Sequence, residues 1–198
     1  MKYLPIAFPA VLAILGGISH QASAQTEKWK GSCNVTFTGE STLHNFSGKV
    51  AAEPFTVAVT GFDDPASATA ACEVVVKAKG MNTDDEKRDD AMHKSLDITT
   101  YPEIAVDIAG MKAAETQPAA DKPVPRPTVI PFTMRLKGKT HQLTGRVSDW
   151  SFDGKVVKCT VSFPVSLKDS GISPPSVLGF IKVKDEIKVS AHLVLTRP

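Results

Sequence analysis

The sequence predicts an all-β fold, a sandwich or a barrel, with one short helix. Nine stretches alternate apolar and polar residues with the period of two that is typical of half-buried strands. Turn-forming residues separate these stretches, and Asp153-Gly154 is the strongest hairpin signal among them. Many short strands divided by turns are typical of sandwiches and barrels. The predicted strands are residues 33–39, 43–52, 54–62, 69–79, 103–111, 128–137, 140–150, 156–168 and 184–195.

The first 24 residues are predicted to be a secretory signal peptide. Lys2 provides a positive start, residues 6–18 are uncharged and mostly apolar, and Ala22-Ser23-Ala24 is a small-residue cleavage site. The apolar stretch is interrupted by Pro9 and is shorter than the roughly 20 residues of a membrane-spanning helix. We therefore expect cleavage after Ala24, no stable membrane anchor, and a periplasmic or secreted domain of residues 25–198.

Length and charge exclude several classes of protein. A chain of 198 residues corresponds to about one domain, and 42% hydrophobic residues is a globular composition. The formal net charge of +2 is too small to indicate a nucleic-acid partner. Nothing in the sequence indicates an oligomeric state.

Three cysteines admit two interpretations. Cys33, Cys72 and Cys159 form no C-x-x-C pair, so a zinc or redox clip is not expected. Each lies on the apolar side of an alternating run, which is typical of buried thiols. Export permits disulfides, and one bridge plus one free thiol is slightly favoured, without an indication of which two residues pair.

One segment predicts a helix. Thr83 and Glu86 have capping-box spacing, acidic residues fill the first turn, and the helical pattern ends near Leu96. Ala91 or Met92 and Leu96 form only a narrow apolar stripe. We expect the helix at a sheet edge or over a barrel mouth, and a solvated surface helix is favoured over a lid.

Two segments are predicted to be irregular. Residues 113–127 are rich in Ala and Pro and lack a periodic apolar face, which predicts a long hairpin loop with polyproline character. A second insertion, residues 170–177, joins the last two predicted strands.

The motifs of several enzyme classes are missing from the sequence. H-E-x-x-H, G-x-S-x-G and G-x-G-x-x-G do not occur. The histidines after the signal peptide, His44, His93, His141 and His192, lack the spacing of metal ligands. We therefore predict that the protein is not an enzyme and needs no cofactor or metal.

Five segments, in order along the chain, resemble the YceI-like lipid- and polyisoprenoid-binding proteins. They are residues 41–48 (Ser-Thr-Leu-His-Asn-Phe-Ser-Gly), Asn82-Thr83 with Lys87-Arg88-Asp89, Met92 and Leu96, residues 101–104 (Tyr-Pro-Glu-Ile), residues 136–141 (Leu-Lys-Gly-Lys-Thr-His) and residues 167–172 (Leu-Lys-Asp-Ser-Gly-Ile). The chain departs from the family in its Pro-rich loop, its three cysteines, and Ser170, where an aromatic residue is common.

The resemblance implies an extended, antiparallel, lipocalin-like β-barrel of about eight strands. It also implies an exported carrier that holds an amphiphile, such as a polyisoprenoid, an isoprenoid quinone or a fatty-acid-like lipid, inside the barrel. Apolar alternation faces then provide the predicted lining: Phe37, Phe46, Val57, Val74, Val76, Phe132, Met134, Phe163 and Val165. His44, Arg88 and His141 are predicted to contact a head group.

The interior of a barrel of this size can be hollow or filled. About eight strands either enclose one small ligand or are filled by their own side chains, and both produce the same alternation. A filled barrel would be a structural or interaction protein that acts through the Pro-rich loop. The lining residues are equally suited to ordinary core packing.

Overall fold

Antiparallel strands close into a barrel with eight strand positions. The computed structural model describes residues 25–42, 44–62, 68–112, 115–119, 122–173, 176–177 and 181–198. The strands are β1 (Thr26–Ser41), β2 (Phe46–Ala51), β3 (Phe55–Thr60), β4 (Thr69–Lys77), β5 (Glu103–Lys112), β6 (Glu115–Ala119), β7 (Lys122–Arg126), β8 (Val129–Leu136), β9 (Lys139–Phe152), β10 (Val156–Ser166), β11 (Ser176–Val177) and β12 (Ile181–Thr196). A 3₁₀ turn (Ala78–Gly80) precedes the helix α1 (Glu86–Leu96).

The barrel closes because β12 pairs with β10 on one side and with β1 on the other. The order around the wall is β12, β10, β9, β8, β5, β4, then β3 and β2, then β1. β2 and β3 share one position, since β3 pairs with the first half of β1 and β2 with the second half. Pro54 interrupts them because it lacks a backbone N–H. The predicted all-β barrel of about eight strands is confirmed.

The inward side chains form two apolar clusters at different heights. One cluster surrounds Phe132, Met134 and Leu136 and extends to Leu96 of α1. The other centres on Trp29, which is 1% exposed. We call the barrel end near α1 the mouth, and we call the second cluster the plug; its members are Trp29, Val57, Val59 and Val157 with Phe55, Phe62, Ala70, Cys72, Trp150, Phe152 and Leu195.

Aromatic packing and one ion pair close the plug end. The ring of Trp29 meets those of Phe62 and Phe152 at centroid distances of 4.8 and 6.4 Å. The Arg197 guanidinium lies 5.1 Å from the Phe62 ring centroid and donates two hydrogen bonds to the Glu27 carboxylate. The chain terminus is thereby held against β1.

The helix α1 ends as predicted but begins differently. Asp85 is its N-cap, because the Asp85 carboxylate accepts a hydrogen bond from the backbone N–H of Arg88 at 3.0 Å. The expected capping box of Thr83 and Glu86 was therefore wrong by two residues. Thr83 is instead buried and bonded to Asp89, and the helix ends at Leu96, followed by Asp97 in the left-handed conformation.

Residues 113–127 contain more regular structure than predicted. β6 and β7 pair as a separate two-stranded sheet, from Glu115 opposite Arg126 to Ala119 opposite Lys122. The expectation of a hairpin was right, but the expectation of a loop without strands was wrong. Pairing of backbone groups in a local hairpin does not require an apolar face, so the alternation pattern did not reveal it.

Several predicted features lie outside the described residues. They are the signal peptide of residues 1–24, Leu43 in the second predicted strand, and parts of the Pro-rich segment and of the second insertion. Within the described ranges, no helix has the length and hydropathy needed to cross a bilayer.

Candidate functional site

A cavity of about 550 Å³ occupies the barrel between the mouth and the plug. Its size is typical of sites that enclose a small ligand. Inward side chains of β1, β2, β4, β5, β8, β10 and β12 form its wall, and α1 lies across its mouth. The barrel is therefore filled at one end and hollow at the other, which corrects the alternative of a wholly self-filled core.

Eight of the nine predicted lining residues lie along this cavity. They are Phe37, Phe46, Val74, Val76, Phe132, Met134, Phe163 and Val165. The Phe132 and Phe163 rings meet edge to face, with centroids 4.8 Å apart. Contact of these side chains with a ligand stays a prediction.

Val57 is the exception among the nine. It is 3% exposed and pairs with Trp29 inside the plug, away from the cavity. Alternation identifies the inward face of a strand correctly, but it does not indicate the height along the barrel at which a side chain lies. Val57 belongs to the filled end for that reason.

Sequence reasoning missed part of the wall. β5 contributes Ile104, Val106 and Ile108, and β12 contributes Val189 and Ala191. Both strands show clear alternation in the sequence, so the signal was present. A further contribution, from α1, could not be predicted because it depends on where the helix packs.

The helix α1 covers the mouth with its apolar stripe. Ala91, Met92 and Leu96 line the cavity, and Leu96 is buried. The Lys137 ammonium donates to the carbonyl of Ser95 in the last turn of the helix, at 2.8 Å. The predicted place over a barrel mouth is confirmed, and the apolar stripe of α1 also forms part of the cavity wall.

Arg88 lies at the mouth and is held by several contacts. Its Nε donates to the Thr83 hydroxyl at 2.9 Å, and its Nη2 donates to the Thr83 carbonyl at 3.2 Å. The guanidinium carbon lies 5.7 Å from the centroid of the Phe46 ring, a cation–π contact. Arg88 therefore presents an oriented positive charge at the rim of an apolar cavity.

The two predicted head-group histidines lie in different places. His44 lines the mouth and is exposed. His141 is not among the lining residues, and its Nε2 lies 3.3 Å from the hydroxyl of Ser170, which is fully buried. Ser170 also donates to the carbonyl of Ser166 at 2.8 Å. The structure thus assigns His141 to the packing of the turn that follows β10.

The three cysteines are free thiols, so the slightly favoured disulfide was wrong. Cys33 and Cys159 both align with Leu193, on the two strands that flank β12. Two strand spacings place their Cα atoms roughly 10 Å apart, whereas a disulfide needs less than about 7 Å. Burial raises the pKa of Cys33 to about 12, and the pKa values of Cys72 and Cys159 to about 11.

Metal ligands do not converge anywhere in the described parts of the chain. No group of three or more His, Cys, Asp or Glu side chains there is placed to hold an ion. The site is an apolar cavity with polar groups at one end, an arrangement that can bind an amphiphile.

Solved structures share this fold. BcnA of Burkholderia cenocepacia has a TM-score of 0.59 and 16% identity, over 82% of this chain and 95% of that one. A polyisoprenoid-binding domain from Saccharophagus degradans, implicated in plant cell wall breakdown, has a TM-score of 0.58 and 12% identity, over 88% of this chain and all of that one. A Campylobacter jejuni YceI protein has a TM-score of 0.51 and 16% identity, over 79% and 87%.

At these identities the structures show a shared fold. No curated protein sequence is significantly similar to the chain. A family model, described as the YceI-like domain, matches residues 25–195, which include the barrel wall apart from the last residue of β12. The chain belongs to the YceI-like family.

Proposed function

We propose that this protein is an exported carrier that holds an amphiphilic lipid inside its barrel. The supporting observation is the apolar cavity of about 550 Å³, which is open to polar groups only near α1. Its ligand is a molecule with a long isoprenoid or fatty tail. Burial contributes about 0.8 kcal/mol for each methylene, so an apolar tunnel provides affinity without many polar contacts.

The head group lies at the mouth in this proposal. Arg88 and His44 are the polar lining residues we expect to contact it. Arg88 is oriented by Thr83 and Phe46 before any ligand arrives, which reduces the entropy lost on binding. His141 is not proposed as a contact because it does not line the cavity and its Nε2 lies 3.3 Å from the buried hydroxyl of Ser170.

Export is part of the same proposal. The family match begins at residue 25, the first residue after the predicted cleavage site. The mature chain would then start at Gln25 and contain the complete barrel. Its intact mass after expression with the natural N-terminus in a bacterial host should correspond to loss of the first 24 residues.

Lipid extraction tests the binding function. Protein purified without detergent should release a lipid on solvent extraction, detected by mass spectrometry at a ratio approaching one per chain. Ala191→Phe adds a ring inside the cavity and should reduce the amount at least several-fold. Ala51→Phe makes the same change on the exposed face of β2 and should leave it unchanged. Extracts free of lipid, from folded protein offered isoprenoids, would count against the proposal.

A further inference from the structure

The barrel interior contains a second, smaller cavity below the first. It has a volume of about 60 Å³ and lies in the plug, between Trp29, Phe62 and Trp150. Along β12, Leu193 lines the large cavity and Leu195 lines the small one. Successive inward residues of one strand thus face two different spaces, so a layer of side chains divides the barrel.

The dividing layer is built partly from the cysteines. On β10, Val161 lines the large cavity and Val157 the small one, and Cys159 lies between them and lines neither. On β4, Cys72 has the same place between Val74 and Ala70. We call this layer the floor; it consists of Cys33, Phe55, Cys72, Trp150 and Cys159.

The other floor residues complete the layer. Cys33 lines the large cavity and is at the level of Cys159, since both align with Leu193. The Phe55 ring fills the space beside Gly31. A Cβ added at Gly31 would lie 2.3 Å from a carbon of that ring. Trp150 packs against both apolar clusters. Cys33 therefore lies at the base of the large cavity, and the other four floor residues pack between it and the plug.

We propose that the floor limits the length of the lipid tail and so selects the ligand by tail length. This inference rests on the proposed function. A head group held at the mouth by Arg88 leaves the tail only the depth between α1 and the floor. Units beyond that depth must fold back or push the head group outward, so they add no buried surface.

The inference predicts a break in affinity along a series of tails. Each additional buried methylene strengthens binding by up to about four-fold until the tail reaches the floor. The probes are all-trans prenyl alcohols that lengthen by one isoprene unit at a time. Titration with each alcohol should show affinity that rises with length and then stops rising or falls.

Changes in the floor should move this break. Cys33→Leu places a larger side chain at the base of the large cavity. It should shift the break to a tail that is shorter by about one isoprene unit. Asn34→Leu adds the same side chain on the outer face of β1 and is the matched control. Trp150 lines the small cavity and packs against both apolar clusters, so Trp150→Ala should open the floor toward the small cavity and allow longer tails. Phe152→Ala should enlarge the plug without opening the floor, because among the described residues Phe152 packs within the plug, against Trp29 and Phe62.

Each outcome has a distinct meaning. A break that moves with Cys33→Leu but not with Asn34→Leu supports the floor, and Trp150→Ala adds a change in the opposite direction if it folds. Affinity that rises without a break, or a break that stays in place in folded Cys33→Leu, would overturn the inference while leaving lipid binding intact. Failure of every alcohol to bind would instead overturn the proposed function.

Discussion

At the scale of single residues, the interior of this barrel is distinguished by its thiols. Burial is the largest cause of the raised pKa of Cys33, and the neighbouring Cys159 and Cys72 raise it further. Thiols in apolar surroundings stay protonated, and the protonated form is a poor nucleophile. The three residues therefore behave as small apolar side chains, although the protein is proposed to work in an oxidising compartment.

Thiol labelling tests this description. At pH 8 a reagent such as iodoacetamide should modify the folded protein at least about 100-fold more slowly than the unfolded protein, because few thiolates form at a pKa of about 11 to 12. Unfolding without a reductant should make all three cysteines react, as counted by intact mass. Modification of only one cysteine per unfolded chain would show that the other two form a disulfide.

At the scale of elements, tight turns set the register of the wall. β8 and β9 are joined at Lys137 and Gly138, both with positive φ, as a two-residue hairpin turn requires. β9 and β10 are joined near Gly154, also at positive φ, and Asp153 accepts hydrogen bonds from the backbone N–H groups of Lys155 and Val156. Those two bonds lower the pKa of the Asp153 carboxyl.

Alanine at the two glycines separates backbone strain from packing. Gly138→Ala should cost more than Gly154→Ala, because its Cβ would lie 2.7 Å from the Tyr101 ring, whereas none of the described residues would come within 4 Å of a Cβ at Gly154. Backbone strain alone costs about 1–2 kcal/mol at each site. Urea unfolding should give the larger loss for Gly138→Ala, and equal losses would show that Tyr101 moves away freely.

α1 illustrates how an element acquires a role from its position. Its polar residues predicted a helix correctly, and its narrow apolar stripe predicted a place at a sheet edge or over a barrel mouth. The structure places that stripe over the mouth, where Met92 and Leu96 become part of the wall. A few apolar residues are sufficient because the helix covers an opening instead of packing on a sheet.

At the scale of the whole molecule, the barrel is stabilised by contacts between distant parts of the chain. β1 pairs with β12, and Arg197 bonds to Glu27 across the plug end. Hydrogen bonds from Arg197, and a weaker contribution from Trp29, lower the pKa of the Glu27 carboxyl against the opposing effect of burial. Ionised Glu27 therefore stabilises the closed barrel.

The contribution of Glu27 should depend on pH. The pKa of this carboxyl is lower in the folded protein than in the unfolded chain, where it is about 4.3. Its ionised form therefore stabilises the protein fully above the pKa of the unfolded chain. This stabilisation is lost as the pH falls through the pKa of the folded protein. Glu27→Gln should therefore reduce the free energy of unfolding at pH 7 by about 1–3 kcal/mol. The difference from the wild type should shrink below about pH 4. A difference that persists unchanged at low pH would contradict the role of this charge.

Much of the architecture could be predicted from local patterns. Alternation located all nine strands of the wall. Because side-chain direction follows residue parity, it also predicted inward residues on β1, β2, β3, β4, β8 and β10. The same pattern correctly predicted that Phe132, Met134 and Phe163 line the cavity. It did not reveal β6 and β7, or the first residues of β1, whose alternation is weak between Thr26 and Ser32.

The sequence by itself determined an all-β chain with one short helix that ends near Leu96, and it indicated the inward side of most strands of the wall. Only the tertiary structure decided which inward residues fill space and which surround it. Val57 and Val74 have the same pattern in sequence, yet one packs on Trp29 in the plug and the other lines the cavity. The reason is physical: parity determines the face of a strand, whereas register and the side chains across the barrel determine whether space remains.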